Sequence, residues 1–233
     1  MTTTLHLLCA GAAQGLVKTL QPRLLRATGA TVGGRFGAVG AMKQALLAGE
    51  PCDLMVVTDV MVGELVAAGL LVGASRAPLG RVRTGIAVPA GAPLPEVTSA
   101  EALKAALLAA TGLYFPDPER ATAGIHFANV MRRLGILDTL APRLHTFPNG
   151  ATAMRALADS GDAGALGCTQ VTEIRYTDGV TLVAPLPGEF ELATVYTAAV
   201  SARAADPARA ALFVAMLAGP DARRQREAGG FEA

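Results

Sequence analysis

Short runs of apolar residues alternate along this chain with stretches in which apolar residues recur every three or four positions. Residues 5–9 form the first run, small residues follow at 10–13, and apolar residues then return at helical spacing. The glycine-rich segment 33–37 is predicted to be a loop. The alternation predicts strands near 5–9, 31–32, 53–57, 83–88, 112–115, 144–147, 163–168, 181–184 and 192–200, and helices near 16–25, 38–48, 60–68, from 99 onward, 122–134, 151–158, 207–217 and 220–227.

Strands that alternate with helices of this length are typical of an α/β fold with mixed, mostly parallel sheets flanked by helices. Two long extended stretches, 83–88 and 192–200, interrupt the alternation and are interpreted as hinge crossovers between two lobes. Lobe I would comprise residues 1–84 plus 193–233, and lobe II residues 85–192. A ligand is expected in the cleft between them, where strand ends and helix N-termini converge.

The composition excludes several function classes. The 233 residues are 52% hydrophobic and 17% charged, with a net charge of +1, which indicates a globular chain. Lysine and arginine are scattered rather than clustered, so no nucleic-acid partner is expected. Aromatic residues make up only 4% of the chain, which argues against a stacking platform for bases or sugars.

The chain has three cysteines, Cys9, Cys52 and Cys168, and no CxxC motif. They are interpreted as buried, reduced thiols, with a nucleophilic Cys168 as the alternative. No set of Cys, His, Asp and Glu residues has the spacing of a metal site, and the glycines at 33–40 match no nucleotide-binding fingerprint. We therefore expect neither a metal nor a cofactor.

The N-terminal apolar run resembles a short signal segment but lacks a basic leader and continues into a helical pattern. As written, the chain is expected to be cytoplasmic. If it is a trimmed mature form, it is expected to be periplasmic, with an ABC permease as a possible partner. No run is long enough to span a bilayer, so no membrane insertion is expected.

The segment 115–126 points most directly to chemistry. A strand ends there, a loop turns, and a helix begins among small residues whose backbone amides are free, which is the local geometry of an anion site. Similar small-residue starts occur elsewhere, so a small anionic ligand is the expected partner. The predicted backbone contacts are Ala12, Ala13, Ala38, Val39, Ala123 and Ala151.

Side chains near these helix starts supply further candidates. Arg35 is a candidate carboxylate clamp, with a solvated loop arginine as the alternative. Thr122, Thr169 and Gln170 are candidate hydrogen-bond donors. Residues 168–174 are unusually polar for a segment that follows a buried strand. Two interpretations are equally compatible with this polarity: Thr169 and Gln170 line the wall of the cleft, or the segment is an ordinary strand-to-helix loop capped by Thr172 or Glu173.

Four segments occur in an order and spacing typical of one family: 5–16, Gly49-Glu50-Pro51-Cys52-Asp53-Leu54, Asp117-Pro118-Glu119 with Ala123-Gly124, and Leu217-Ala218-Gly219-Pro220-Asp221-Ala222. With these segments the chain resembles the molybdate-type branch of type II periplasmic solute-binding proteins. The resemblance covers nearly the whole chain and implies a two-lobed Venus-flytrap fold that closes over a small anion.

Three departures from that family concern its ligand donors. Where the resemblance implies two serines and a tyrosine, this chain has Ala12, Ala38 and Thr169. A tetrahedral oxyanion needs many donors, because a buried charge without partners is costly. We therefore expect an altered ligand specificity.

An enzyme on the same scaffold is the alternative function. Aconitate isomerases resemble this branch, and chorismate-type dehydratases use a similar fold. Isomerisation of a small unsaturated polycarboxylate needs a base beside a carboxylate and a clamp for the dienolate. Glu173 and His126 are the candidate bases.

Overall fold

The computed structural model describes residues 4–233, and its elements follow the alternation that the sequence predicts. The strands are β1 Thr4–Ala10, β2 Thr31–Gly37, β3 Leu54–Thr58, β4 Ala77–Pro89, β5 Leu113–Pro116, β6 Leu144–Phe147, β7 Leu166–Gln170, β8 Val180–Pro185 and β9 Ala193–Val200. The helices are α1 Gln14–Thr28, α2 Val39–Leu47, α3 Asp59–Ala67, α4 Ala100–Ala109, α5 Thr122–Arg133, α6 Leu137–Leu140, α7 Gly150–Asp159, α8 Val171–Tyr176, α9 Pro207–Ala218 and α10 Arg223–Gly229.

Tertiary contacts divide the chain into two compact units. The first unit comprises residues 1–82 and 194–233, and the second comprises residues 83–193. The boundaries fall inside β4 and at the start of β9. Each unit has its own sheet and its own apolar core, so each is described separately.

The sheet of the first unit has the strand order β2-β1-β3-β9. β1 runs parallel to both β2 and β3, whereas β9 runs antiparallel to β3. Neighbouring parallel strands end at the same edge, where Ala10 of β1 lies opposite Gly37 of β2. The strand interiors are continuous apolar runs because helices cover both faces, and β1, β3, β9, α1 and α9 supply much of the core.

The sheet of the second unit is built around β4-β7-β5-β6, and β8 pairs with the other side of β4. β5 runs parallel to β6 and β7, whereas β4 is antiparallel to β7 and β8. Both sheets are therefore mixed, as the sequence predicts; the first is mostly parallel, whereas the second has two parallel and two antiparallel pairings.

Side-chain alternation gives the second sheet two distinct faces. Ile86, Phe115 and Cys168 lie on one face and pack with Phe127 of α5. Ala87 lies on the other face and packs with Met154 of α7. Because successive residues of a strand alternate between faces, residues of β7 an even number of positions from Cys168 lie on the α5 face and the others lie on the α7 face.

The segment 33–37 is a strand, so its prediction as a loop was wrong. It pairs with β1 along the whole of β2. Gly34 has a φ of +144°, and a β-carbon there would lie 2.0 Å from the carbonyl oxygen of Leu7. The glycine thus allows close approach of two backbones rather than a turn.

Smaller differences concern element boundaries. Thr58, not Asp59, caps α3, because its hydroxyl accepts from the amide of Met61. β4 begins at Ala77, six residues before the predicted strand. The short helices α6 and α8 were not predicted.

Candidate functional site

The helices of residues 4–233 differ in how their first-turn amides are satisfied. Side-chain oxygens of Thr58, Ser99, Asn149 and Asp206 cap α3, α4, α7 and α9. In contrast, α1, α2 and α5 begin after Ala13, Ala38 and Ala121, which have no side-chain acceptor. No side chain of the preceding residue therefore occupies their first-turn amides, although in α1 the amide of Gln14 donates to the carbonyl oxygen of Gly11.

In the first unit, the predicted backbone contacts come together at one sheet edge. Ala12 and Ala13 form the 3-10 turn between β1 and α1, and Ala38 and Val39 open α2. All four residues are buried. Because Ala10 and Gly37 are paired across β1 and β2, the two helix starts are neighbours.

Arg35 lies in β2, two residues before this edge, rather than in a loop. Its guanidinium forms an ion pair with Glu50, and both side chains are exposed. The guanidinium is therefore engaged with a carboxylate of the protein, and the structure lends no support to its predicted role as a ligand clamp.

In the second unit, the start of α5 is held close to the end of β5. The carboxylate of Asp117 accepts from the amides of Glu119 and Arg120, which builds the turn into the helix. A β-carbon on Gly124 would lie 2.2 Å from the carbonyl oxygen of Pro116, so the close approach requires glycine there. The motif that begins with Asp117 thus positions the amides of Thr122 and Ala123 at this edge.

The start of α7 is closed by the protein's own carboxylate. Glu173 is buried, and its carboxylate accepts from the backbone amides of Gly150 and Ala151. The hydroxyl of Thr169 donates to the same carboxylate at 2.5 Å. Asn149 accepts from the amide of Thr152, so the first-turn donors of α7 are all occupied. Ala151 and Thr169, both predicted to contact the ligand, hold Glu173 instead.

Glu173 also stabilises its own helix. It is the third residue of α8, and its carboxylate accepts from the amide of Gln170, which is the residue that precedes the helix. This is half of a capping box. Burial raises the pKa of Glu173 to about 7, and the hydrogen bonds from Thr169 and the three amides oppose that rise. The Glu173 carboxyl thus joins the starts of α7 and α8, and its role as a catalytic base stays a prediction.

The other predicted base, His126, is also engaged. Its Nε2 lies 2.7 Å from the carbonyl oxygen of Phe190, and the guanidinium of Arg133 stacks over the Phe190 ring at 4.6 Å. His126 thus ties α5 to the segment that follows β8. This contact is a structural one, and the role of His126 as a base stays a prediction.

The Gln170 side chain is in a different situation from these engaged groups. It is 2% exposed, and neither its amide nitrogen nor its amide oxygen has a hydrogen-bond partner within residues 4–233. The hydroxyls of Thr84 and Thr172 are likewise buried without a partner in the described chain. Buried polar groups are almost always hydrogen-bonded, so this group of atoms indicates where a ligand or ordered water binds.

Pairing in the sheet brings Thr84 and Gln170 together. Thr84 of β4 lies directly opposite Gln170 of β7, and directly opposed residues share a face of the sheet. Gln170 lies two residues beyond Cys168, hence on the face covered by α5. The unsatisfied amide and the uncapped start of α5 therefore lie at the same end of the same face.

Sequence reasoning missed Thr84 and Thr172 as members of this group. The sequence predicts Thr172 as a helix cap, and the polarity of residues 168–174 is the signal that could have pointed to it. Thr84 gave no signal, because one threonine within an apolar strand is ordinary and only the β4–β7 pairing brings it opposite Gln170.

The described part of the chain supports neither a metal site nor a nucleophilic cysteine. Residues 4–233 contain no group of three His, Cys, Asp or Glu side chains placed to hold a metal ion. All three thiols are buried and free, and burial raises the pKa of each, that of Cys52 to about 12. Cys168 therefore stays protonated at neutral pH, which opposes its role as a nucleophile.

None of the helices between residues 4 and 233 has the length and apolar character needed to cross a membrane.

Comparisons with known proteins agree with this architecture. The chain is 26% identical over 236 residues to an aconitate isomerase from Pseudomonas sp, an alignment that covers 99% of this chain and 88% of the relative. The periplasmic molybdate-binding protein of Azotobacter vinelandii superposes with a TM-score of 0.80 at 20% identity, covering 98% of this chain and 99% of that one. The sulfate-binding protein SubI of Mycobacterium tuberculosis superposes with a TM-score of 0.74 at 17% identity, covering 98% and 86%.

These structural neighbours share the type II periplasmic-binding-protein fold that the sequence resemblance implies. The family model for bacterial extracellular solute-binding proteins matches residues 5–232, which is nearly the entire chain. The chain therefore belongs to the family of bacterial extracellular solute-binding proteins.

Proposed function

We propose that this protein binds a small carboxylate anion through backbone amides at uncapped helix starts. One observation carries the proposal: the uncapped start of α5 lies on the same sheet face as the buried, unsatisfied amide of Gln170. The first unit offers comparable amides at the starts of α1 and α2. Membership of a solute-binding family and the molybdate- and sulfate-binding neighbours support an anion as the ligand.

A carboxylate is favoured over a tetrahedral oxyanion because of the side chains at these starts. Ala12 and Ala38 supply no hydroxyl, and the hydroxyl of Thr169 is bound to Glu173. A buried oxyanion with four oxygens needs many donors, and three that the family resemblance implies are absent or engaged here, whereas one carboxylate is satisfied by a helix start.

Binding is tested by isothermal titration calorimetry and thermal shift with citrate, malate, tricarballylate, both aconitate isomers, sulfate, phosphate and molybdate. A ligand that binds the folded state raises the melting temperature by mass action. We expect carboxylates to bind and molybdate and sulfate to bind weakly or not at all. Tight binding of molybdate alone would refute the carboxylate proposal.

The site is tested with a charge placed at the start of α5. Ala121→Asp supplies a cap to that helix and sets a negative charge among the amides, so affinity for the best carboxylate should fall roughly tenfold or more. Ser99→Asp is the matched control, because it changes the cap of α4 in the same unit and should leave affinity unchanged. Equal affinities for the two variants would remove α5 from the site.

Isomerisation of an unsaturated tricarboxylate is the second candidate function, and the similarity to an aconitate isomerase over 99% of the chain favours it. The mechanism would remove an allylic proton and return one at the other end of the dienolate. The predicted bases Glu173 and His126 are both hydrogen-bonded within the protein, so either would have to exchange a partner for the substrate in order to act. Proton NMR of either aconitate isomer in D2O with the protein would reveal interconversion and deuterium incorporation if the protein is an enzyme.

Location and partner are part of the same proposal. The family consists of extracellular solute-binding proteins, and we propose that this chain acts outside the cytoplasm and passes its ligand to an ABC permease. Fractionation of cells that produce the tagged protein tests its location. Recovery in the cytoplasmic fraction alone would favour the enzyme over the transport role.

A further inference from the structure

The two polar atoms of the Gln170 side chain impose a chemical condition on any ligand that reaches them. The amide nitrogen can only donate hydrogen bonds, and the amide oxygen can only accept them. Both atoms lack a partner among the described residues, so exchanging their positions would not alter the condition. A molecule that satisfies this side chain must both accept and donate.

A fully ionised oxyanion or carboxylate meets only half of this condition. Sulfate, molybdate and carboxylate oxygens accept hydrogen bonds but have none to donate. Such a ligand leaves the Gln170 oxygen buried and unpaired, and an unpaired buried acceptor costs about as much as a lost hydrogen bond. A hydroxyl group on the ligand removes that cost, because it donates to the amide oxygen while an adjacent carboxylate accepts from the amide nitrogen.

The two threonine hydroxyls do not impose the same condition. Each can donate or accept, so the hydroxyls of Thr84 and Thr172 adapt to whichever group lies beside them. Both are buried: Thr84 lies directly opposite Gln170 in the sheet, and Thr172 follows Gln170 by two residues in α8. The condition that a ligand must donate therefore comes from Gln170.

The backbone of Gln170 is held in place independently of its side chain. Its amide donates to the buried carboxylate of Glu173, and its position in β7 pairs with Thr84 of β4. The side chain thus extends from a fixed point, as expected of a group that discriminates between ligands rather than adapting to them.

We propose that Gln170 is a specificity-determining residue that selects hydroxycarboxylates over carboxylates of equal charge that lack a hydroxyl. The inference rests on the proposed function and names the ligand class of that same site. Thr84, directly opposite Gln170 in the sheet, adds a buried hydroxyl to the same polar group.

The test compares two ligands that differ in one hydroxyl. Citrate is tricarballylate with a hydroxyl on its central carbon, and both carry the same charge at pH 8. Calorimetric titration of the unaltered protein should give a dissociation constant for citrate that is roughly tenfold to hundredfold lower than that for tricarballylate. Hydrogen phosphate, which has a donor, should likewise bind more tightly than sulfate, which has none.

Variants assign the discrimination to Gln170. Gln170→Met keeps the length of the side chain without its polar atoms, so the ratio of the two dissociation constants should fall to about one. Gln44→Met, at an exposed position of α2, is the matched control and should keep the ratio of the unaltered protein.

The outcomes separate this inference from the proposed function. If both tricarboxylates bind equally to the unaltered protein, an ordered water satisfies Gln170 and the inference is wrong, whereas carboxylate binding stands. If neither carboxylate binds, the proposed function itself fails. Because the first comparison uses the unaltered protein, it decides the question even if Gln170→Met does not fold.

Discussion

The carboxylate of Glu173 lies against the backbone of Gly150, so that a β-carbon placed on the glycine would be 2.0 Å from the Oε2 atom. The glycine opens α7, and its amide donates to the same carboxylate. This contact joins the starts of two helices through residues that are 23 positions apart in the chain. The amides at the start of α7 therefore donate to the protein's own carboxylate and are not available to an external anion.

Gly150→Ala should destabilise the protein by about 2–3 kcal/mol, because the new methyl group overlaps both Glu173 and the hydroxyl of Thr169. Urea denaturation followed by circular dichroism measures the loss. Gly188→Ala is the control, since a β-carbon there meets no atom within 4 Å. The penalty should shrink in a Glu173→Ala background, and an unchanged penalty there would contradict the contact.

Glu173 should make stability depend on pH. The folded protein holds the pKa of this carboxyl near 7, compared with 4.5 for the ordinary group, so between these values the folded state binds more protons than the unfolded state. The free energy of unfolding should therefore decrease as pH rises from about 4.5 to 7, by roughly 3 kcal/mol, and change little from this source above pH 8.

The Glu173→Gln variant isolates this contribution. The difference in unfolding free energy between the unaltered protein and Glu173→Gln should decline from pH 5 to pH 8, because the variant has no carboxyl to ionise. Glu101→Gln, at an exposed position in the first turn of α4, provides the reference for a solvent-exposed glutamate. A difference that stays constant across this range would contradict the raised pKa.

Asp53 should be important for the stability of the first unit. Its buried carboxylate accepts from the amides of His6 at 2.7 Å, Ala205 at 2.6 Å and Asp206 at 3.3 Å, which ties β1 to the start of α9. Asp53→Ala leaves these amides without an acceptor and should cost about 3 kcal/mol. Asp53→Asn keeps one acceptor oxygen and should cost less.

Hydrogen exchange locates the effect of Asp53. The His6 and Ala205 amides should exchange faster in Asp53→Ala, whereas amides of β5 and β7 in the second unit should keep their protection. Equal acceleration throughout the chain would show that the loss is not confined to these bonds.

Arg35→Ala should change little. The ion pair with Glu50 is solvent-exposed, and exposed pairs contribute at most about 1 kcal/mol. We expect the affinity for citrate to stay within twofold of that of the unaltered protein, measured by calorimetry. Glu50→Ala removes the same ion pair and is the control. A tenfold loss of citrate affinity in Arg35→Ala but not in Glu50→Ala would show that Arg35 belongs to the site.

Local patterns in the sequence determined the alternation of strands and helices and several helix starts. Ser99 was predicted to open a helix and caps α4, because a cap needs only a donor three residues away. The small residues before α1, α2 and α5 indicated uncapped starts for the same reason. Continuous apolar runs indicated buried strands, because a strand covered on both faces does not alternate between apolar and polar residues.

Tertiary structure decided which of these starts is open. Glu173 and Gly150 meet because α7 and α8 pack together, and no spacing in the sequence records that contact. Pairing with β1 made a strand of residues 33–37 despite their glycines. Thr84 and Gln170 became neighbours only through the β4–β7 ladder. Local sequence encodes interactions across a few residues, whereas an unsatisfied polar group is defined by everything that surrounds it in the folded chain.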